Sequence, residues 1–435
     1  MRTVGAMSKR FLILASGLVL GVILSVTAAR LSFAWSLWPN RDLNRSADYV
    51  REVLQLVHDN YVDEKPSDYE QLSRNAMHGM VESLDPHSEF LESKNNKELE
   101  EDLSGEFGGI GIQVETRKGK VTVIAPIAGT PGERAGILRG DEIVSIDGKP
   151  LEKDGGRDDV VGRLRGAPKT KVAIGLFRPS LQKQINLTLV REVIRVDSVR
   201  DVHVMPGGIG YVQLTEFSEH TSEQFARALD KLTKDGAESL VIDLRNNPGG
   251  LLDSAVEVAE PFFKKGELIV YTQGRKPADR EDYKATTEGT PITLPVAILI
   301  NAGTASAAEV VTGALKDMGR AVVVGERSFG KGSVQSIFKL KNGEGMRLTT
   351  ARYYTPSGLS IHEKGIAPHV EVVMTPEEDN KLARQRNRPD ITDAVDFKER
   401  FGFDPIEDRQ LQAAIDVLKG VRLLAQNNTA KTTTR

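Results

Sequence analysis

Three short segments carry residues whose types and spacing could do chemistry together. The first is Asn301-Ala-Gly-Thr-Ala-Ser306-Ala-Ala-Glu309, placed between the apolar run Val296–Ile300 and an apolar stretch of helical character. A turn of small residues between a strand and a helix lets a serine project from a helix N-terminus. Free backbone N–H groups and the helix dipole there can stabilise an oxyanion. The same spacing also fits an ordinary N-cap at Thr304 or Ser306. The second segment is Gly325-Glu-Arg-Ser-Phe-Gly330-Lys331-Gly332-Ser333-Val-Gln335. A serine needs a base, and a lysine can serve if burial keeps it neutral. Lys331 sits in a glycine-flanked turn after the apolar strand Ala321–Gly325, although an exposed turn lysine would look the same. The third is Asp243-Leu-Arg-Asn-Asn-Pro-Gly249-Gly250-Leu251. Its paired glycines let backbone amides approach a ligand closely. Gly250 could supply an oxyanion donor beside the amide of Ala307, or the turn could simply close a βα unit.

Other chemistries fit less well. Gly325–Gly332 nearly matches a phosphate-binding loop, but Gly332 stands where the magnesium-ligating hydroxyl belongs. The stretch from Val334 to Thr350 alternates like strands instead of opening a helix. No G-x-S-x-G elbow is present. His362-Glu363 lacks a second histidine at metal-binding spacing, and the chain has no cysteine for a thiol nucleophile, a disulfide or a zinc ligand.

Taken in order, the three segments resemble the signature of the C-terminal processing peptidases, or tail-specific proteases. The resemblance covers roughly residues 41 to 375. It implies Ser306 as nucleophile, Lys331 as base and Gln335 as a supporting residue that orients the lysine. It also implies acyl transfer without cofactor or metal, on a crotonase-like α/β layered core. Where the family often has serine, this chain has Ala308. Phe107-Gly-Gly-Ile-Gly-Ile112 resembles the carboxylate-binding loop of PDZ domains. Amides around Gly109, Ile110, Gly111 and Ile112 would capture a peptide C-terminus there, and a strand would accept the peptide by β-augmentation. Gly140-Asp-Glu-Ile-Val-Ser-Ile-Asp147-Gly looks like a later PDZ strand and turn.

The surrounding sequence supplies the elements that must hold these groups. Residues 41 to 103 read as helices, with Tyr49, Val50, Val53, Leu54 and Val57 at helical spacing and a cap near Ser67 and Asp68. Residues 104 to 191 read as short strands with two helical pieces, the span of the PDZ unit inserted in the protease. From 192 to 375 strands and helices alternate, which argues for an α/β layered core. Beyond Thr375 the chain turns polar, with one amphipathic helix around Leu411, Ile415, Leu418 and Val421 and a tail from Asn427 that reads as disordered.

The 435 residues carry a net charge of -3 and no long basic block, which argues against nucleic acid. At the N-terminus Arg2, Lys9 and Arg10 precede the uncharged run Phe11–Ala29. Val26 and Ala28 are spaced for signal peptidase. The run reads as an export signal, and it is also long enough for an uncleaved membrane anchor. In a Gram-negative bacterium this places the protein in the periplasm, with the inner membrane as a partner if the anchor stays. The expected partners are protein substrates with exposed C-terminal tails, with room for an adaptor protein and for a homo-oligomer built on the apolar stripes. The readings from other classes are a PDZ scaffold without catalysis and a crotonase-like acyl-CoA enzyme.

Overall fold

A computed structural model describes residues 41–432 apart from 118, 152–156, 387, 389 and 390. The expected export signal lies outside the described residues. Among the described residues no helix is long and apolar enough to cross a membrane. The chain divides into two units, Met1–Leu84 and Asp85–Arg435.

The described part of the first unit holds two helices, Arg41–Asn60 and Tyr69–Glu82. Asp68 caps the second, its carboxylate accepting from the Glu70 amide at 3.0 Å. His58 stacks on Tyr69 with ring centroids 4.1 Å apart.

In the second unit the protease-like core is a six-stranded sheet. Its order is Val199–Met205, Ile209–Leu214, Ser239–Asp243, Val296–Ile300, Ala321–Gly325 and Val370–Glu371. The first pair is antiparallel and every later pair is parallel. Parallel strands covered on both faces should read as unbroken apolar runs, and Val296–Ile300 is buried at every position. Helices Thr221–Lys234, Leu252–Ala259 and Ala307–Asp317 pack on one face. Ala414 and Leu418, from helix Arg409–Thr432, cover the other.

A second sheet combines Glu89–Leu91, Gly345–Tyr354, Leu268–Gly274, Arg280–Lys284 and Ser333–Lys339. The segment expected to be wholly helical up to residue 103 therefore contributes a strand. Three residues are too few to show a period, so only the pairing of Phe90 with Met346 reveals it.

The inserted unit has its own sheet, in the order Ile112–Arg117, Lys120–Pro126, Glu142–Ile146, Lys171–Arg178 and Lys183–Val190. Its core gathers Val123, Ile146, Val160 and Ile174. The chain enters and leaves it through adjacent antiparallel strands, Glu106–Gly109 and Glu192–Arg195.

Two expectations about the C-terminal region are corrected. It has three helices, not one, because Pro376–Arg386 and Ala394–Phe401 also form. Pro376–Arg386 buries only Leu382, so it has no apolar stripe to read. It is favoured by Pro at its start, by Glu377, Glu378 and Asp379 in its first turn and by Arg384 and Arg386 in its last. The final helix also runs past Asn427 to Thr432. Its bonds are internal and need no tertiary partner.

Candidate active site

Ser306 stands at the head of helix Ala307–Asp317, directly after the strand Val296–Ile300 and its small-residue turn. Its backbone is forced to φ 53° and ψ −118°, a region that non-glycine residues rarely occupy. The surrounding turn explains how this persists. Thr304, fully buried, donates through Oγ1 to the Leu244 carbonyl at 2.8 Å. The Asn301 carboxamide oxygen accepts from the Asn246 and Gly303 amides. Gly249 lies flush against the elbow, since a Cβ there would come within 2.7 Å of the Ser306 Cβ. Gly250, at φ 141°, leaves even less room, with the Phe217 carbonyl oxygen 2.0 Å from where a Cβ would sit. Gly249 is thus a packing requirement of the serine turn, and Gly250 of the backbone pairing with Phe217.

Ser306, Lys331, Gln335 and Gly250 line one cavity of about 450 Å³, together with Tyr353 and Arg347. Neither the Gly250 amide nor the Ala307 amide donates a hydrogen bond among the described residues. Ala307 lies just behind the cavity wall, its nitrogen 2.9 Å from the Cβ that Gly249 lacks. Burial, with the Arg347 guanidinium adding to it, pulls the Lys331 ammonium below the ordinary lysine range, and Glu89 opposes the shift.

The expected contacts are not all formed. Among the described residues no hydrogen bond joins Lys331 Nζ to Ser306. Tyr353 lines the same cavity, a buried side chain whose own ionisation burial pushes up to about 12. Among the described residues no hydrogen bond joins Gln335 to Lys331 either. Its Nε2 donates to Ser333 Oγ at 3.1 Å and Thr349 Oγ1 at 2.9 Å. Its Oε1 is buried without a partner among the described residues.

Sequence reasoning assigned no role to Glu309, which the structure places at the junction of both segments. Its carboxylate is fully buried. Oε2 accepts from the amides of Ser306 at 2.9 Å and Lys331 at 2.8 Å. Oε1 accepts from the Gly330 amide at 2.7 Å and the Ser328 hydroxyl at 2.5 Å. Burial pushes its ionisation above the ordinary carboxylate range, against these four donors. One acidic side chain thus fixes the spacing of the serine and lysine backbones. Its place at the third position of the helix was the available signal, since a glutamate there can close a capping box.

Glu309→Gln is expected to leave one buried donor, the Gly330 amide, facing an amide NH2 group. Ser328 can turn to accept, but a backbone N–H cannot. An unsatisfied buried donor costs about 1–3 kcal/mol, so the variant should melt several degrees lower and lose activity. A melt indistinguishable from that of the parent would show that the clamp does not hold these segments.

A second cavity, of about 630 Å³, is lined by Gly109, Ile110, Gly111 and Ile112 of the inserted unit. The strand Ile112–Arg117 is an edge of its sheet, and Val161 and Leu164 form the facing wall. The amides of Ile110 and Gly111 donate to nothing among the described residues. Arg165, Arg200, Arg384 and Arg388 also border this groove, against the single carboxylate of Glu115.

Residues 208–372 match the model of peptidase family S41, and residues 122–178 match a PDZ domain. The chain is 38% identical over 419 residues to the carboxy-terminal-processing protease of Bartonella bacilliformis, covering 92% of this chain and 95% of that one. It is 37% identical over 336 residues to a "Probable CtpA-like serine protease" of Staphylococcus aureus, covering 77% of this chain and 66% of the relative. Among solved structures, the photosystem II D1 C-terminal processing protease is 31% identical, with a TM-score of 0.44 over 74% of this chain and 92% of that one. At 38% identity over nearly the whole of both chains, with the S41 and PDZ matches beside it, the chain belongs to the carboxy-terminal-processing serine proteases of peptidase family S41 and carries a PDZ domain.

Proposed function

We propose that this protein is an exported endopeptidase that captures free C-terminal tails in its PDZ groove and cleaves with Ser306 and Lys331. The observation that carries the reading is the shared cavity, where an elbow serine and a depressed lysine meet Gly250, with the undonated amide of Ala307 just behind the wall. The Ser306 hydroxyl gives its proton to neutral Lys331 as Oγ bonds to the scissile carbon. The carbonyl oxygen takes the electron pair and is held by the Gly250 and Ala307 amides. Collapse breaks the C–N bond, and the Lys331 ammonium returns the proton to the leaving amine. A water then repeats the sequence on the acyl-enzyme, Lys331 taking its proton and returning one to Ser306. Parallel strands with the oxyanion turn at their carboxyl ends support the crotonase-like reading of the core. The apolar N-terminal run supports export, with the periplasm as the site of action in a Gram-negative cell.

In the groove, the Ile110 and Gly111 amides suit a terminal carboxylate and the edge strand suits an added peptide strand. Ser306→Ala should abolish cleavage of a tailed, unstructured substrate while leaving tail binding intact. Amidating the tail should weaken binding to that same variant. Residual cleavage at the parental rate would remove Ser306 as nucleophile, and equal binding of free and amidated tails would remove the carboxylate site.

A further inference from the structure

We propose that the peptide groove selects its guests by charge as well as by their free end. It takes C-terminal tails that carry carboxylate side chains a few residues before an apolar last residue, and Arg200 and Arg384 are the residues that read them. The proposal rests on the reading of this groove as the site that captures tails.

The groove has two unlike parts. Ile110, Ile112, Val161 and Leu164 give it an apolar lining, suited to an uncharged last side chain. Arg165, Arg200, Arg384 and Arg388 stand around that lining, and Glu115 is the one carboxylate among the described residues that border it. The chain as a whole carries a net charge of -3, so the positive excess is local. It is also assembled from separate segments. Arg165 follows helix Arg157–Leu164, Arg200 lies on strand Val199–Met205 and Arg384 on helix Pro376–Arg386. Only the fold brings them to one groove.

Arg200 and Arg384 keep their charge available to a guest. Both are exposed. Arg200 donates through Nε to the Asp197 carbonyl at 2.9 Å, a neutral acceptor that leaves the charge uncancelled. The three acids on the helix of Arg384 are engaged elsewhere: Glu377 with Lys381, Glu378 with Arg409 and Asp379 with the Asn301 side chain. Arg165 differs. Its guanidinium lies over the Phe107 ring, 4.3 Å from the centroid, and Glu101 approaches it at 3.6 Å. It is held in place and partly neutralised, so the discrimination falls on the other two.

The chemistry names the guest. The cations are all arginines, and a guanidinium presents paired N–H groups that match a carboxylate edge to edge. A tail added along Ile112–Arg117 pairs over a strand of six residues, a reach of about 20 Å at the usual rise. Carboxylates within that reach come under the arginines, and those further upstream remain in solvent.

The test is binding of labelled tail peptides to the full chain carrying Ser306→Ala. Binding is read instead of turnover because the charge of Arg200 also reaches Glu216, which lines the catalytic cavity. The peptides share one apolar last residue and carry a pair of glutamates, glutamines or lysines just upstream. The glutamate tail should bind about 10-fold tighter than the glutamine tail, the scale of two part-exposed ion pairs, and the lysine tail should bind most weakly. The order should level out in about 1 M salt, where screening acts within about 3 Å. Glutamates moved beyond the reach of the strand should lose the gain. Arg200→Glu combined with Arg384→Glu should turn the order round. Should that protein fail to fold, Arg200→Gln and Arg384→Gln made singly should each narrow the gap about threefold, one such pair being lost. Equal binding of glutamate and lysine tails at low salt, or a gap that survives in these variants, overturns the proposal. Equal binding of free and amidated glutamate tails would instead overturn the reading of the groove as a carboxylate site, while the order among the free tails still reports on the arginines.

Discussion

Lys331→Arg is expected to lower turnover about 10²–10⁴-fold, the usual worth of general acid–base catalysis, with the fold intact. A base must shed its proton before it acts, and a guanidinium does not do so in this range. Burial and Arg347 both disfavour the Lys331 ammonium, and Glu89 only partly opposes them. Activity of the parent should rise with pH through one ionisation below the unperturbed lysine value near 10.4. The same shift has a signed effect on stability. Between the depressed folded value and the higher unfolded one, the unfolded chain binds more protons. Stability therefore rises with pH across that window. Below it the penalty for burying the ammonium is full, and above it the penalty is gone. Lys331→Met should flatten this rise. Urea midpoints measured at several pH values beside the rate profile check both effects. An arginine variant with substantial activity would send the search for the base to His87 and His362.

The largest loss of stability is expected from Arg245→Met. Arg245 and Asp243 are both fully buried, and they pair through Arg245 Nε at 2.9 Å from Asp243 Oδ1. The other face of the guanidinium meets Asp408 at 2.7 and 2.8 Å and Gln410 at 3.2 Å. Tyr211 donates to Asp243 at 2.8 Å, and Arg386 approaches it at 3.3 Å. Burial alone would push Asp243 up, but Arg245 and Arg386 outweigh it and hold the carboxyl far below its ordinary range. Removing one partner of a buried pair costs about 3–5 kcal/mol, since Asp243 stays behind with only Arg386 and Tyr211 beside it. The damage should also reach catalysis, because Arg245 begins the turn that ends in Gly249 and Gly250. Urea unfolding followed by circular dichroism measures the loss. An unchanged midpoint would show that the network is dispensable.

Legibility in the sequence followed the range of the interaction. Val296–Ile300 and Ala321–Gly325 could be read directly because a strand buried on both faces must be apolar throughout. The turns around Ser306, Gly250 and Lys331 could be read because tight geometry admits only small residues. The pairing of Ser88 with Thr349 could not, since it joins residues 261 positions apart through single polar atoms. Tyr353 looked like any strand aromatic until the fold brought it into the cavity of Ser306. Glu309 lay in plain view within the serine segment, yet three of its four donors come from the lysine turn, some twenty positions away. The missed helix Pro376–Arg386 shows the opposite failure, where local signals were present but the search was for an apolar stripe.

The open strand Ile112–Arg117 has a cost of its own. An unpaired edge able to accept a stranger's peptide can equally accept another copy of itself, which is how edge-to-edge aggregation begins. This edge is six residues long and carries exposed Gln113 and Thr116. Leu164 and the arginines Arg165, Arg200 and Arg384 crowd its approach. Two folded copies meeting here would bring like charges together, whereas a slender, flexible chain end can thread between them. The same arginines thus guard this edge against pairing with a second copy of itself.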